Sequence, residues 1–453
     1  MPEAPKRGLA EKTSTVAAPL LNTLAFIFIA RELGADALGG VALLLSLAAC
    51  VTLSFELSHP WRGTGGRAAR AAIHLSFLAI GGVMALVGAM GLGSGALLPF
   101  GLYVAYSGAA SAALALSRDE GVSSIAGMAD GFARLMILWL VISGAGKHVE
   151  ALVAGAFLVG GLAALAIAMA RKSPLNFDAV REEFASASGA AMAFSVIVGM
   201  MMWIDKPLLY VLDGQIAVGN YFAVQRTVVF IGSAAVVITG MVSHRFSEIG
   251  RDEGLRLVTL MERYASLCVV PMGAFYVVFS TPIVSTFFGA GYASQNELVY
   301  PLVAAGIFTA MASPSVSWLA DGRGWRSLSS AAVLCLALLV ATPYALLESG
   351  ALSSPSMAVA IGCAASSMAF YALVRWSLLR AGAVFHGHIL KHLACAALMG
   401  LVLYWTSTGV TSLGFAELVF LAMVGVLVYG LLLYLFGEFM QGEYGEFKAL
   451  RGV

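Results

Sequence analysis

Five charged residues within apolar stretches carry the candidate chemistry of this chain. An ionised side chain at such a position costs about 2.5–3.5 kcal/mol on membrane-insertion scales, so it usually faces a protein interior or a water-filled cavity. Asp130 and Arg134 are four residues apart, and Asp205 and Lys206 are adjacent, with Arg226 beyond the next turn. Guanidinium and ammonium groups bind phosphate oxygens well. Arg134, Lys206 and Arg226 are therefore candidate ligands for an anionic substrate.

Each of these groups also has a structural interpretation. Asp130 and Arg134 share one helical face and can neutralise each other. Asp205 and Arg226 lie at similar depths on either side of a turn, so an antiparallel hairpin brings them close together. Lys206 is rotated by about 100° from Asp205 and is expected in a different environment. Asp130 and Asp205 are thus candidates for charge pairing or ion coupling, and both interpretations stay open.

Composition determines what kind of elements must position these charges. Of the 453 residues, 60% are hydrophobic and 11% are charged, whereas soluble chains carry roughly 25% charged residues. A soluble enzyme, a disordered scaffold and a secreted disulfide module are excluded. The five cysteines lie singly in apolar stretches, so neither a disulfide framework nor a thiolate metal site is indicated. The prediction is an all-α polytopic membrane protein.

Windows of about 19 residues identify about fourteen candidate transmembrane helices. The connections are short, which leaves no room for a separate soluble domain. The first span continues to Arg31 and Glu32 without a cleavage site, so it is expected to be retained. The spans lie near 14–32, 38–58, 70–92, 95–117, 125–144, 149–170, 187–211, 217–241, 258–280, 297–318, 327–348, 355–379, 389–408 and 415–437.

The distribution of basic residues predicts the orientation in the membrane. Of the 26 Lys and Arg residues, 21 fall on one alternating set of segments, Arg31 and Lys147 fall on the other, and three lie within spans. Because cytoplasmic loops carry the excess of Lys and Arg, both termini are expected in the cytoplasm of a multi-pass protein of the cytoplasmic (inner) membrane.

A faint internal repeat divides the chain. Gly34 and Gly39 recur as Gly214 and Gly219, in each case between two spans. The 180-residue offset corresponds to six spans, which predicts two parallel pseudo-symmetric repeats. The expected domains are an N-terminal six-helix lobe, a cytoplasmic linker, a C-terminal six-helix lobe, and two additional transmembrane helices with a cytoplasmic tail: residues 1–170, 171–186, 187–379 and 380–453.

Three stretches resemble a known transporter family. Residues 203–226, WIDKPLLYVLDGQIAVGNYFAVQR, contain an aspartate followed by a basic residue, a turn and a Val-Gly-x-Tyr sequence. Residues 287–292, FFGAGY, and residues 30–34, ARELG, match two further motifs. Together they resemble polysaccharide and O-antigen flippases of the multidrug/oligosaccharidyl-lipid/polysaccharide (MOP) exporter superfamily. The last two spans extend beyond the twelve-helix unit, as in some members.

This resemblance implies translocation of a lipid-linked oligosaccharide or polysaccharide precursor by alternating access through a central cationic cavity. The implied partners are a prenyl-(pyro)phosphate-linked glycan, membrane lipids and other polysaccharide-assembly membrane proteins, and nucleic acid is not among them. No enzymatic activity, cofactor or metal is expected. Surplus positive charge suits the phosphate groups of such a substrate.

Three alternatives remain. A cation-coupled exporter of drugs or metabolites would have the same fold, but it predicts a cavity dominated by carboxylates. A lipid II flippase is expected to carry a deep arginine in its first span, which this chain lacks. A membrane glycosyltransferase or polysaccharide polymerase generally needs an ordered extramembrane loop, and the outer loops here are short.

Two smaller patterns favour structural roles. The histidines at 386, 388 and 392 have ligand-like spacing, but the segment is basic and lacks nearby carboxylates, so interfacial histidines are expected rather than a metal site. Gly155 with Gly160 and Gly161 predicts close helix packing.

Overall fold

A computed structural model describes residues 9–52, 64–91, 95–116, 120–143, 149–170, 189–242, 246, 249–320, 324–383, 387–407 and 413–438. Within these ranges all regular elements are helices. The predicted all-α fold of a polytopic membrane protein is confirmed. Lys147, His386 and the predicted linker 171–186 lie outside the described residues.

The described ranges contain fifteen α-helices, and a 3-10 helix (Ala290–Leu298) lies between the tenth and the eleventh. They are α1 (Leu9–Thr52), α2 (Thr64–Ala89), α3 (Leu97–Leu116), α4 (Glu120–Ser143), α5 (Val149–Ala170), α6 (Gly189–Trp203), α7 (Asp205–Asp213), α8 (Gln215–Val242), α9 (Arg251–Val278), α10 (Ser280–Phe288), α11 (Val299–Ala320), α12 (Trp325–Glu348), α13 (Pro355–Arg380), α14 (His388–Ser407) and α15 (Phe415–Leu435).

The length and hydropathy of the described helices bound the number of membrane spans. Among the described residues, eight helices are long and apolar enough to cross a membrane, or nine if α9 and α10, bent by 83° relative to each other, count as one broken span. The predicted span 14–32 and the described part of the predicted span 38–58 both belong to α1, which has a break at Gly34. A total of fourteen therefore stays a prediction.

The helices form two compact units, Met1–Ala223 with Gly324–Val359, and Val224–Arg323 with Ala360–Val453. A division into compact units does not show whether residues 1–170 and 187–379 are repeats of each other. That duplication stays a prediction.

Small residues allow close helix packing in the first unit. There α3 packs against α2 and α5, while α4 packs against α1 and α5. A Cβ added at Gly81 would lie 2.3 Å from the Ala105 nitrogen, and one at Gly101 would lie 2.4 Å from the Ala85 nitrogen. Because such distances are far inside van der Waals contact, only glycine lets α2 and α3 approach this closely.

In the second unit α9 packs against α11, α14 and α15. The Phe-Gly-x-x-Tyr motif ends α10, where Gly289 has a φ of 103° and the rings of Phe288 and Tyr292 lie 6.0 Å apart. An L side chain rarely adopts this φ, so the motif encodes the turn that ends the helix.

Candidate functional site

The predicted Asp130–Arg134 pair lies on α4 and is enclosed within the first unit. Arg134 is 1% exposed and Asp130 is 5% exposed. Arg134 Nη2 donates a hydrogen bond to Asp130 Oδ2 within an ion pair, since one helical turn separates the two residues. Their predicted position on one helical face is confirmed, and the arginine is neutralised by its own helix.

Aromatic side chains complete the surroundings of Arg134. Its Nη2 also donates to the Tyr106 hydroxyl, 2.6 Å away on α3. The guanidinium carbon lies 4.1 Å from the ring centre of Phe157 on α5 and 4.9 Å from that of Tyr106. Cation–π attraction is strongest in desolvated surroundings. One carboxylate and two aromatic rings thus surround the positive charge.

Part of the polar capacity of this cluster is unused. The Nε of Arg134 and the Oδ1 of Asp130 are buried, and neither makes a hydrogen bond to a residue that the structure describes. Buried polar atoms without partners cost free energy unless water or a ligand satisfies them. The cluster therefore retains one donor and one acceptor for a polar group.

Glycine creates the space for Asp130. A Cβ added at Gly160 of α5 would lie 2.3 Å from Asp130 Oδ1, and one at Gly161 would lie 2.9 Å from the Tyr106 ring. The predicted close packing at these two glycines is confirmed. At Gly155 an added Cβ would have nothing within 4 Å, so the prediction is wrong for that residue, which lies where α5 leaves open space.

Gly160→Ala is expected to lower the free energy of unfolding by about 1–3 kcal/mol, the usual cost of overpacking. The added methyl group collides with the Asp130 carboxylate and disturbs the ion pair with Arg134. Thermal unfolding in detergent measures the effect. Gly155→Ala, on the same helix, is the matched control and should leave the midpoint within error. Equal effects of the two substitutions would contradict this account.

Lys206 and Asp205 form a second buried pair at the start of α7. Both residues are 2% exposed. Lys206 Nζ lies 2.8 Å from Asp205 Oδ1, and the Tyr221 hydroxyl donates to Asp205 Oδ2 over 3.0 Å. The ammonium also lies 5.0 Å from the ring centre of Trp203.

The prediction that Lys206 occupies a different environment from Asp205 is wrong. The flexible stem of lysine spans the 100° rotation between neighbouring helical positions, and a desolvated ammonium without a counterion would be costly. A helix break precedes this pair, because α6 ends at Trp203 and α7 begins at Asp205, with Pro207 in the first turn of α7. Proline is tolerated there, in the first turn of the new helix.

Arg226, the third candidate ligand, lies on α8 and is half-buried. Arg226 belongs to the second compact unit, whose first segment begins at Val224. Its predicted proximity to Asp205 stays a prediction, as does the central cavity.

The two predicted Gly-x4-Gly motifs have the same backbone geometry. Gly34 has φ 82° and ψ −176°, and Gly214 has φ 83° and ψ −174°. Left-handed φ values favour glycine, since other residues meet steric strain there. Gly34 breaks α1 and Gly214 separates α7 from α8, so the two glycines interrupt helices in the same way. The duplication of the two lobes stays a prediction.

The second glycines of the two motifs lie in one reciprocal helix crossing. A Cβ added at Gly39 would lie 2.0 Å from the Gln215 carbonyl oxygen, and one at Gly219 would lie 1.9 Å from the Ala35 carbonyl oxygen. Ala35 and Gln215 each follow the first glycine of their own motif. The contacts are therefore reciprocal between the two motifs. We call this contact the glycine crossing.

A polar contact joins three helices beside the glycine crossing. Gln215 Nε2 donates to the Asp36 carbonyl oxygen over 2.9 Å and to Glu150 Oε1 over 3.4 Å. Because Glu150 lies in the first turn of α5, one side chain links α8, the broken α1 and α5.

Sequence reasoning missed a buried ion pair in the second unit. Arg375 Nη1 on α13 lies 2.8 Å from Glu262 Oε2 on α9, and Ser315 on α11 donates to Glu262 Oε1. All three residues are less than 9% exposed. Arg375 is one of the 21 basic residues that the sequence assigns to the cytoplasmic set, and the structure places it within α13. A charged residue in an apolar segment was the available signal for Glu262.

A second missed cluster surrounds Glu438, just after α15. Arg263 Nε donates to Glu438 Oε1 over 2.8 Å, and His392 Nε2 lies 3.2 Å from the same oxygen. His388 Nδ1 lies 3.2 Å from Oε2. Burial raises the pKa of this carboxyl, but the hydrogen bond from His388 and the charge of Arg263 outweigh burial, so the pKa of Glu438 lies below its usual value.

The expectation of interfacial histidines is therefore wrong for His392, which is fully buried against Glu438 and Ser266. The carboxylate comes from a residue 46 positions away in the chain, which local spacing cannot reveal. In the part of the chain that the structure describes, no group of three or more His, Cys, Asp or Glu residues is arranged to hold a metal ion.

Long apolar helices that enclose buried charge pairs define a polytopic membrane protein. Comparison with solved structures specifies the fold. The chain is similar to the lipid II flippase MurJ in an inward closed conformation, with a TM-score of 0.72, 12% identity, and coverage of 95% of this chain and 99% of that chain.

Two multidrug and toxin-type (MATE) transporter structures are also similar. One is an inward-facing multidrug resistance MATE family transporter of the MOP superfamily, with a TM-score of 0.58, 13% identity, and coverage of 83% of this chain and 99% of that chain. The other is a mutant of the Vibrio cholerae MATE transporter VcmN. Its TM-score is 0.51, its sequence identity is 14%, and the match covers 84% of this chain and 100% of that chain. No family model and no curated protein matches the sequence. The chain has the fold of MOP superfamily transporters, which confirms the predicted fold.

Proposed function

We propose that this protein translocates a lipid-linked oligosaccharide or polysaccharide precursor across the cytoplasmic membrane by alternating access. The substrate class is an anionic amphipath with a prenyl tail, a phosphate or pyrophosphate group and a sugar headgroup. Arg134, Lys206 and Arg226 are the proposed substrate-binding residues. In this proposal both termini lie in the cytoplasm, and the glycine crossing lies on the outer side.

The extent of the structural similarity is the observation that carries this proposal. The flippase match covers 95% of this chain, whereas the two MATE matches cover 83% and 84%. Residues 380–453, which contain α14 and α15, make up about 16% of the 453 residues, close to the share that the MATE matches leave uncovered. The presence of two helices beyond a twelve-helix unit favours a flippase.

The unused polar atoms in the first unit support an anionic substrate. Arg134 Nε is a buried donor on a cationic group, and it makes no hydrogen bond to any described residue. Guanidinium groups donate to phosphate oxygens in a bidentate manner. A phosphate group that approached this edge of Arg134 would satisfy the donor without breaking the ion pair to Asp130.

The glycine crossing supports alternating access. It joins the start of α8 to the second half of α1, and these belong to different predicted lobes. A glycine contact without intervening side chains closes tightly and separates without moving rotamers. We therefore assign the glycine crossing as the outer closure, which must part when the substrate leaves.

A flipping assay tests the proposal. Purified protein in liposomes should move a fluorescent prenyl-pyrophosphate-linked sugar across the bilayer. Arg226→Ala is expected to slow this movement by about tenfold to a hundredfold, since a hydrogen bond to a charged group contributes about 1.5–3 kcal/mol. Exposed Arg256 on α9 offers the matched control, and Arg256→Ala should leave the rate unchanged.

Different results of the flipping assay would contradict the proposed function and the proposed substrate-binding residues. Absence of flipping by wild-type protein, with the fold intact, would contradict the proposed function. Wild-type rates in the Arg134, Lys206 and Arg226 alanine variants together would remove the site assignment and leave the function standing.

A multidrug or metabolite exporter is the second candidate. The pairing of Arg134 with Asp130 and of Lys206 with Asp205 favours it, because these pairs leave less surplus positive charge than the sequence predicted. The same liposomes distinguish the two functions. An exporter accumulates a cationic dye against an imposed proton or sodium gradient, whereas the proposed flippase moves the labelled lipid and leaves the dye unaffected.

A further inference from the structure

The ion pair between Glu262 and Arg375 joins helices of the second unit and includes none of the proposed substrate-binding residues. Glu262 on α9 is 2% exposed, Ser315 on α11 is 0% exposed and Arg375 on α13 is 6% exposed. Replacing a buried ion pair by apolar residues is often neutral or stabilising, so such a pair is weak evidence of a purely structural role. Ionisable groups within membrane segments more often belong to functional pathways.

Few charged or titratable groups among the described residues face Glu262. Arg375 faces it from α13 and the Ser315 hydroxyl from α11. Tyr371, one turn before Arg375 on α13, lies within electrostatic range of both charges, and its buried hydroxyl makes no hydrogen bond to any described residue. Arg263, the next residue of α9, turns away to Glu438, and so does His392 on α14.

A row of hydroxyl groups leads from this pair toward the middle of the helices. Ser367, Tyr371 and Arg375 follow one another at intervals of four residues, so they lie on one face of α13. The Thr309 hydroxyl on α11 donates to Ser367 over 3.2 Å. The ring of Tyr371 lies 5.9 Å from that of Phe308, the residue before Thr309. The row spans about 12 Å at 1.5 Å per residue.

The far end of this row is open. Thr309 is exposed halfway along α11, at a depth where a polar group is better satisfied by a water-filled cavity than by lipid. A proton entering from water beside Thr309 would need a water molecule at the Tyr371 hydroxyl to reach the carboxylate, because that hydroxyl makes no hydrogen bond to any described residue.

We propose that Glu262 is a proton-binding site that couples the proposed transport to the proton gradient. Protonation transfers one H⁺ from water to a Glu262 carboxylate oxygen, and no other bond is made or broken. The neutral carboxyl then no longer balances the charge of Arg375, and the attraction that holds α9 to α13 at this point is weakened. This inference rests on the proposed function for what is transported.

α11 contains a turn that can bend when the protonation state of Glu262 changes. Pro314 lies within the helix, next to Ser315. Proline lacks the N–H that would bond to the carbonyl of residue 310, which makes the helix easy to bend at this point. Protonation of Glu262 alters its hydrogen bond with Ser315. It therefore acts on the turn of α11 in which Pro314 removes a backbone hydrogen bond.

Glu262→Gln tests the proposal, because glutamine keeps the shape and the hydrogen bond to Ser315 but cannot titrate. An imposed gradient of about one pH unit should change the wild-type flipping rate by up to tenfold for each coupled proton. The variant should flip at a rate that is independent of the gradient. Glu438→Gln, which alters the other ion-paired carboxylate of this unit, is the matched control and should keep the wild-type response. A normal gradient response in Glu262→Gln overturns the proposal.

A second measurement does not depend on flipping. Infrared difference spectra of purified protein between acidic and neutral pH should show a buried carboxyl band that Glu262→Gln removes. Its persistence in that variant would also overturn the proposal. If wild-type protein shows the band but moves no lipid, the proposed function fails and the proton site stands. Should Glu262→Gln not fold, the Glu262→Gln/Arg375→Met double variant removes both charges, and the same two results are expected of it.

Discussion

Gly219→Val is expected to abolish the glycine crossing and reduce transport at least tenfold. A Cβ at this position would lie 1.9 Å from the Ala35 carbonyl oxygen, and backbone cannot rotate out of the way as a side chain can. Overpacking of this kind costs about 1–3 kcal/mol. If that cost falls on the closed state alone, the ratio of closed to open protein decreases by about 5-fold to 150-fold.

Cross-linking measures the closed population directly. With the five cysteines, none of them in a disulfide, replaced by alanine, Asp36→Cys and Gln215→Cys place two thiols beside the glycine crossing. A short bifunctional reagent should join them rapidly in the otherwise unchanged chain and slowly with Gly219→Val. Gly232→Val, on the same helix, is the matched control because a Cβ there has nothing within 4 Å.

Because each glycine of the crossing contacts the backbone of the other motif, the same prediction applies to Gly39. Gly39→Val should have nearly the same effect, since its Cβ would lie 2.0 Å from the Gln215 carbonyl oxygen. The double variant should cost less than the sum of the two single variants, because helices already separated at one contact no longer collide at the other. Unchanged cross-linking in Gly219→Val, or fully additive effects, would contradict the assignment of this crossing as the outer closure.

Local pattern was enough to predict the helices and the glycine breaks. Long apolar segments require helices in a membrane because backbone groups must be satisfied internally. Gly34 and Gly214 were recognisable because each lies between two apolar segments and only glycine adopts their φ values easily. The face shared by Asp130 and Arg134 followed from a spacing of four residues, which fixes direction within one helix.

Tertiary pairing could not be predicted in the same way. Ser315 lies 53 residues from Glu262, and Glu438 lies 175 residues from Arg263. Nothing in the intervening sequence specifies which faces of these helices meet. The basic-residue distribution placed Arg263 and Arg375 at the cytoplasmic side but could not distinguish a solvated arginine from one drawn into a helix bundle by a buried carboxylate.

A double-mutant cycle through Asp130 and Arg134 is expected to decide between charge pairing and substrate binding. Arg134→Met alone leaves a buried carboxylate without its counterion, and Asp130→Asn alone leaves a buried guanidinium in the same situation. Breaking a buried ion pair from either side costs about 3–5 kcal/mol. Each single variant should therefore unfold at a markedly lower temperature in detergent and flip lipid poorly, which by itself does not distinguish the two roles.

The Asp130→Asn/Arg134→Met variant makes the distinction, because it contains no unbalanced charge. Its free energy of unfolding should return to within about 1–2 kcal/mol of wild type, since uncharged replacements of buried pairs are often nearly neutral. Its flipping rate should remain at least about tenfold low, because the guanidinium that would donate to the phosphate is gone. The Glu438→Gln/Arg263→Met variant, outside the proposed substrate site, should recover both stability and flipping. Recovery of flipping in the Asp130→Asn/Arg134→Met variant would show instead that Arg134 only balances Asp130, and that the substrate phosphate is recognised elsewhere.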